Sequence, residues 1–174
     1  MSRLLLICVE TDNNASTDEA YIQKVIETFY DNPEQISIKY PKMKGCSNLT
    51  KLQKHIAEVR RDFLGISKTN CIDVICCFDT DKYDVDKFAA EKLKCEEDFC
   101  SSNGYDFVWF CRDIEEVFWN KTAAKSEKKQ LAKQFLTSKQ IDNVGLSNLQ
   151  AKTYSRSRSN LVDKLDQYLK RKEL

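Results

Sequence analysis

The chain has 174 residues, 41% of them hydrophobic, and its 28 Lys and Arg nearly balance 27 Asp and Glu, for a net charge of +1. That length builds one domain with a proper core and at most a small helical appendage. No run approaches the roughly 18 apolar residues that a membrane span needs, which excludes membrane-spanning classes from the expectation.

The start, Met-Ser-Arg-Leu-Leu-Leu-Ile-Cys-Val-Glu, turns acidic too soon for a secretion signal and reads as a first strand over 3–9. A capping-box spacing at Ser16-Thr-Asp-Glu19 opens a first helix, with Tyr21, Ile22, Val25, Ile26 and Phe29 turned inward. Ile36, Ile38 and Tyr40 alternate as a second strand that Pro41 ends. Leu49, Leu52, Ile56, Val59 and Phe63 recur at helical steps. A β-branched apolar run then ends in acid at about 71–79, a composition typical of strands buried on both faces. A third helix runs from about Asp84 to Phe99, and Ser-Ser-Asn-Gly104 stops it. A fourth strand, Tyr105 to Phe110, leads into Asp113-Ile-Glu-Glu-Val-Phe-Trp119.

The order β-α-β-α-β-α-β predicts an α/β fold, a mostly parallel four-stranded sheet sandwiched by helices, over residues 1–120. Residues 121–174 read as a basic helical C-terminal extension packing on it, with helices near 122–136, 138–150 and 159–171. Lys-Thr-Tyr-Ser-Arg-Ser-Arg-Ser, 152–159, is the best candidate for a linker or mobile loop. Charge is uneven. Residues 1–120 carry 15 basic against 22 acidic groups, −7, whereas residues 121–174 carry 13 against 5, +8. Among the eight cysteines no Cys-x-x-Cys occurs, and the only histidine is His55, so the thiols are expected as small buried hydrophobes in a reducing cytoplasm.

Two carboxylates spaced as Asp79-x-Asp81 at a strand end repel each other unless a cation lies between them, and oxygen-only ligands suit Mg²⁺ or Mn²⁺. Glu10 ends the first strand in the same way, so parallel, neighbouring strands would bring it to the same crevice. Glu115 or Glu116 arrives just after the fourth strand, either as a further acidic group or as an ordinary helix N-terminal turn. An EF-hand is excluded: Tyr83 stands at loop position 5, Asp84 at the glycine position and Ala90 at the bidentate position. Lys125, Lys128, Lys129 and Lys133 fall on one helix face and Arg156 and Arg158 add charge nearby, a pattern that suits either phosphate contacts or a solvated face. The stripe Leu161, Leu165, Tyr168 and Leu169 fits domain core or a homodimer contact.

Strand–Glu10, helix, strand, helix, strand–Asp79-x-Asp81 resembles the Toprim domain of topoisomerases, primases and OLD-type nucleases. Thr17-Asp-Glu19-Ala-Tyr21 and Ile114-Glu-Glu116-Val-Phe-Trp119 look like elements of the small RloB-like branch associated with phage defence, so the resemblance covers roughly residues 3–120. It implies a Mg²⁺- or Mn²⁺-dependent nuclease on DNA or on RNA such as tRNA. Glu10 would be metal ligand or general base, Asp79 and Asp81 metal ligands and Glu116 a fourth catalytic acid. Lys125, Lys128, Lys129, Arg156 and Arg158 would meet nucleic acid. A partner ATPase of the ABC/OLD type belongs to the same analogy, since four glycines and no Walker loop give this chain no nucleotide cradle of its own. Thr11 stands where the family commonly has glycine after the strand-1 Glu, which favours as an alternative a catalytically degenerate regulatory subunit. A third reading is a phosphatase or receiver-like domain with Asp79 as phospho-acceptor.

Overall fold

The computed structural model describes residues 2–10, 17–31, 36–43, 49–67 and 69–173. The Ser16 cap, the loop 11–15 with Thr11 and Asp12, and Cys46 lie outside the described residues.

Apolar β-branched runs form β1 (Arg3–Val9), β2 (Ile36–Lys39), β3 (Cys71–Asp79) and β4 (Asp106–Phe110), all parallel in the order β2-β1-β3-β4. Between them run α1 (Thr17–Phe29), α2 (Leu49–Ile66) and α3 (Lys87–Asn103). The period-two alternation of each strand feeds two cores. Leu5, Ile7 and Val9 of β1 face α1 and the C-terminal segment, whereas Leu4, Leu6 and Cys8 face α2 and α3. Helices therefore cover both faces, which is why β1 and β3 carry unbroken apolar runs rather than an alternation with polar residues. Cys8, Cys76, Cys77, Cys100 and Cys111 are buried free thiols. Among the described residues no helix is long and apolar enough to cross a membrane.

The fold is thus the α/β sheet expected, with a helical extension. α4 (Ile114–Trp119) follows β4, then α5 (Lys128–Thr137), two short 3-10 turns at Gln140–Asn143 and Leu146–Asn148, and α6 (Leu161–Leu165). The extension is integral to the core: the Phe135 ring is fully buried and lies 4.7 Å from Tyr21 and 5.0 Å from Phe118, with Leu149, Leu161, Val162 and Leu165 beside it.

Three local expectations are corrected. The helix expected from 122 begins only at Lys128, because the Glu127 carboxylate accepts the Ala124 N–H (2.9 Å) and stabilises a turn before it. The helix expected over 159–171 shortens to α6, because the chain beyond it pairs with the end of α1: Lys172 N–H donates to Phe29 O and Asp31 N–H to Lys170 O, each 3.0 Å. Residues 152–159 are no linker. They seal the edge strand β4, with Cys111 N–H on Arg158 O (2.9 Å), Ser159 bridging Phe110, and Tyr154 packed 4.8 Å from Trp109. Asn160 completes the seal, accepting from Trp109 N–H (2.9 Å) and donating to Phe107 O (3.0 Å). An open β edge is an aggregation template, and a side chain that mimics a strand removes it.

Candidate metal and phosphate crevice

In the strand order β2-β1-β3-β4 the connection direction reverses between β1 and β3. Ligands of open α/β sheets bind beyond the carboxyl ends of the strands at such a switch point. Val9 pairs with Cys77, so Glu10 leaves β1 beside the end of β3, and the Asp79 N–H donates to Glu10 Oε2 at 3.4 Å. The sequence expectation that Glu10 and Asp79 share one crevice is met geometrically.

Asp79 Oδ1 accepts the Ile114 N–H at 3.0 Å, which orients the carboxylate from the start of α4, and no described donor reaches its Oδ2. Asp81 lies just past the strand with φ of +50°, and Arg112, past β4, has φ of +66°. Such left-handed backbone in non-glycine residues costs energy and persists only where the surroundings enforce it. Here Asp81 N–H donates to Arg112 O (2.9 Å) and Arg112 N–H to Thr80 Oγ1 (2.8 Å), tying the two post-strand turns together.

Two lysines that no motif singled out as site residues, or that were assigned elsewhere, meet these acids. Lys92 Nζ of α3 lies 3.1 Å from Glu10 Oε1, 2.9 Å from Asp81 Oδ2 and 3.8 Å from Glu96 Oε1. Lys128 Nζ lies 2.7 Å from Glu115 Oε2 and 3.5 Å from Asp113 Oδ2. Lys128, expected on a nucleic-acid face, is therefore an internal counter-ion of the crevice. Lys125, Lys129 and Arg158 are exposed and their side chains have no ion-pair partner among the described residues. Arg156 instead binds Glu116 Oε1 at 2.6 Å.

Glu116 does not join the crevice. Its carboxylate is buried against Arg156 and accepts from Thr122 Oγ1 at 3.2 Å, with no described contact to Glu10, Asp79 or Asp81. Its neighbour Glu115, one residue round the helix, points to the acid cluster instead. The expectation of Glu116 as fourth acid is corrected: both glutamates of α4 are buried, Glu116 on Arg156 and Glu115 on Lys128, which also lies near Asp113.

The electrostatics follow from burial. Desolvation pushes the Glu10 carboxyl above its usual range, with Lys92 opposing. Asp79 keeps part of its surface open yet lies deep among protein atoms, and burial with the Asp18 charge raises its carboxyl well above the usual value. Asp18 itself is pushed up to about 7, by burial and then by Glu115. Glu96 is pushed up to about 8, by burial and then by Glu10. Both Glu96 and Glu115 are fully buried; Glu115 is held by Lys128 at 2.7 Å, whereas the Glu96 carboxylate has no hydrogen-bond partner among the described residues and only Lys92 at 3.8 Å. Unsatisfied buried carboxylates are costly, and in a native fold they call for a ligand or a function.

Among the described residues no three His, Cys, Asp or Glu side chains form a group that could hold a metal ion as they are placed, and the Lys92 ammonium lies between Glu10 and Asp81. The donor set still fits a hard divalent cation: every group is a carboxyl, and the carboxyls outnumber the two ammonium groups of Lys92 and Lys128. Comparison with protein-family models, with curated proteins and with solved structures finds no match. The Toprim likeness therefore rests on the element order and on the residues of this sequence quoted for it, Glu10, Asp79 and Asp81 with the segments 17–21 and 114–119.

Sequence reasoning missed Lys92, Glu96, Asp18 and Asp113. For α3 a signal existed: Lys92 and Glu96 share the stripe of buried Cys100, so two charged residues stood on an inward face.

Proposed function

We propose that the crevice beyond β1 and β3 binds Mg²⁺ or Mn²⁺ and hydrolyses phosphodiester bonds of DNA or RNA, in the manner of small Toprim nucleases of phage defence. The observation that carries this reading is the joining of Glu10 and Asp79 at the switch point, beside the buried Glu96 carboxylate, which lacks a hydrogen bond. Glu10 and Asp79 would hold the ion, with Asp81 closing over it from its exposed turn. A divalent ion there supplies polarisation of the phosphodiester and a more acidic attacking water. Glu10, whose carboxyl is raised above its usual range by burial, would serve there either as a ligand of the ion or as the general base. Asp79 is kept in place by the Ile114 N–H on its Oδ1, which leaves Oδ2 as the oxygen that would meet the ion. Lys125, Lys129 and Arg158 supply exposed positive charge for the phosphate backbone. A partner ATPase and a cytoplasmic setting extend the reading by family analogy.

A second reading is favoured by one observation: Lys92 and Lys128 already neutralise part of the acid cluster. In a regulatory or interaction subunit such internal ion pairs would be permanent. Incubating purified protein with plasmid, single-stranded DNA and tRNA in Mg²⁺ or Mn²⁺, beside Glu10→Ala, separates the two. Metal-dependent cleavage lost in the variant supports the nuclease, while equal activity in both proteins, or none in either, favours the regulatory reading.

A further inference from the structure

Lys92 has three carboxylates around one ammonium: Glu10 at 3.1 Å, Asp81 at 2.9 Å and Glu96 at 3.8 Å. These three differ in freedom. Glu96 is fixed in the core and has no hydrogen bond, Glu10 is largely buried and bonded to Asp79 N–H, and Asp81 is half exposed on its turn. A lone ammonium offers three donors to this group and carries a single charge. A divalent ion brings twice the charge and shorter oxygen contacts, about 2.0–2.1 Å for Mg²⁺. The nest is therefore better matched to a dication than to the lysine that fills it.

Lys92 also has somewhere to go. A cavity of about 410 Å³ opens beside it, lined by Asp81, Lys82, Asp86, Phe88, Ala89 and Lys92 itself. The Lys82 side chain is exposed and has no ion-pair partner among the described residues, and Phe88 stands exposed at the cavity wall. A four-carbon stem lets an ammonium swing by several ångströms while its base stays fixed on α3.

We infer that Lys92 is a tethered surrogate cation: a divalent ion displaces it from Glu10 and Asp81, Glu96 joins them as a ligand, and the released ammonium swings into the adjacent cavity to meet a phosphate beside Lys82. This rests on the divalent-cation reading of the crevice and adds to it a ligand from α3 and an exchange step. No bond is made or broken in the exchange; one cation replaces another. It gives the ion-free protein a neutralised crevice and couples ion binding to the appearance of an anion site, since each ligand then favours the same arrangement.

The test is Mn²⁺ binding followed by electron paramagnetic resonance on the full chain, without substrate. Lys92→Met removes the competitor and is expected to tighten Mn²⁺ by about 5- to 100-fold, the range of ordinary coupling between sites. Glu96→Gln is expected to weaken it by about tenfold or more, as loss of a supporting carboxylate does. Wild-type Lys92 is expected to become more reactive toward reductive methylation when Mn²⁺ is added, a readout that holds even if Lys92→Met fails to fold. If wild type binds Mn²⁺ and Glu10→Gln abolishes it, while Lys92→Met, Glu96→Gln and Lys92 labelling show no change, the exchange is wrong and the cation site stands. If no form binds Mn²⁺, both fall together.

Discussion

Glu96→Gln should make the ion-free protein more stable, and by an amount that grows with pH. The Glu96 carboxyl rises from an ordinary 4.5 to about 8 in the fold, mainly through burial. Between those values the unfolded chain has released its proton while the folded chain still holds it. Stability therefore falls as pH rises through this window and levels off above about 8. Each pH unit crossed is worth about 1.4 kcal/mol, so the full window sets a ceiling of about 5 kcal/mol. Relaxation and water entry reduce this, and we expect on the order of 2–3 kcal/mol at pH 8. For a chain of this size that is roughly 5–10 °C in Tm. Glutamine keeps the shape and removes the ionisation, so the variant should exceed wild type at pH 8 and approach it at pH 5. Asp18, pushed up to about 7, titrates in the same sense and should leave the variant a residual slope. Denaturant unfolding in EDTA at pH 5, 6.5 and 8 measures the gap. A variant less stable than wild type at pH 8, or a gap independent of pH, would refute the assignment of Glu96 as a buried, poorly solvated acid.

Other outcomes follow from the same packing and charge pattern. Phe135→Ala opens a hole between Tyr21, Phe118 and Trp119 and should cost about 3–5 kcal/mol by denaturant titration, because the extension is core rather than appendage. Asn160→Ala strips the Trp109 N–H and Phe107 O of their partners and should cost about 2–3 kcal/mol, with faster aggregation by light scattering as the β4 edge opens. Lys125→Ala with Lys129→Ala should lower the slope of log affinity against log salt for a single-stranded oligonucleotide by about one to two. Lys128→Ala, which strands buried Glu115, should instead lower Tm and leave that slope nearly unchanged.

Much of the fold was legible because backbone periodicity is a local property. The apolar runs of β1 and β3, the three- and four-residue steps of α2 and the Gly104 stop of α3 each appear in the sequence and in the structure. Gly104 does end α3, in the left-handed conformation that glycine adopts without penalty. The C-terminal half was less legible because its shape is set by distant partners. α6 ends where the chain pairs with Phe29 and Asp31, and residues 152–159 are held by β4, neither of which local spacing encodes. The candidate site divides in the same way. Strand ends exposed Glu10 and Asp79, since a carboxylate closing an apolar run stands out, but the helix-borne Lys92, Glu96 and Glu115 became site residues only through the turn of α3 and α4 about their axes. Glu115 and Glu116 are neighbours in sequence, and only the orientation of α4 separates the one on Lys128 from the one on Arg156.

The central claim is a divalent-cation site between the ends of β1 and β3, and anomalous diffraction from a crystal soaked in Mn²⁺ tests it most directly. The account predicts a peak at about 2.0–2.3 Å from oxygens of Glu10 and Asp79, with the Lys92 ammonium moved away from Glu10. A saturating soak that gives no peak there, or peaks only on surface carboxylates with Lys92 still on Glu10, would contradict it.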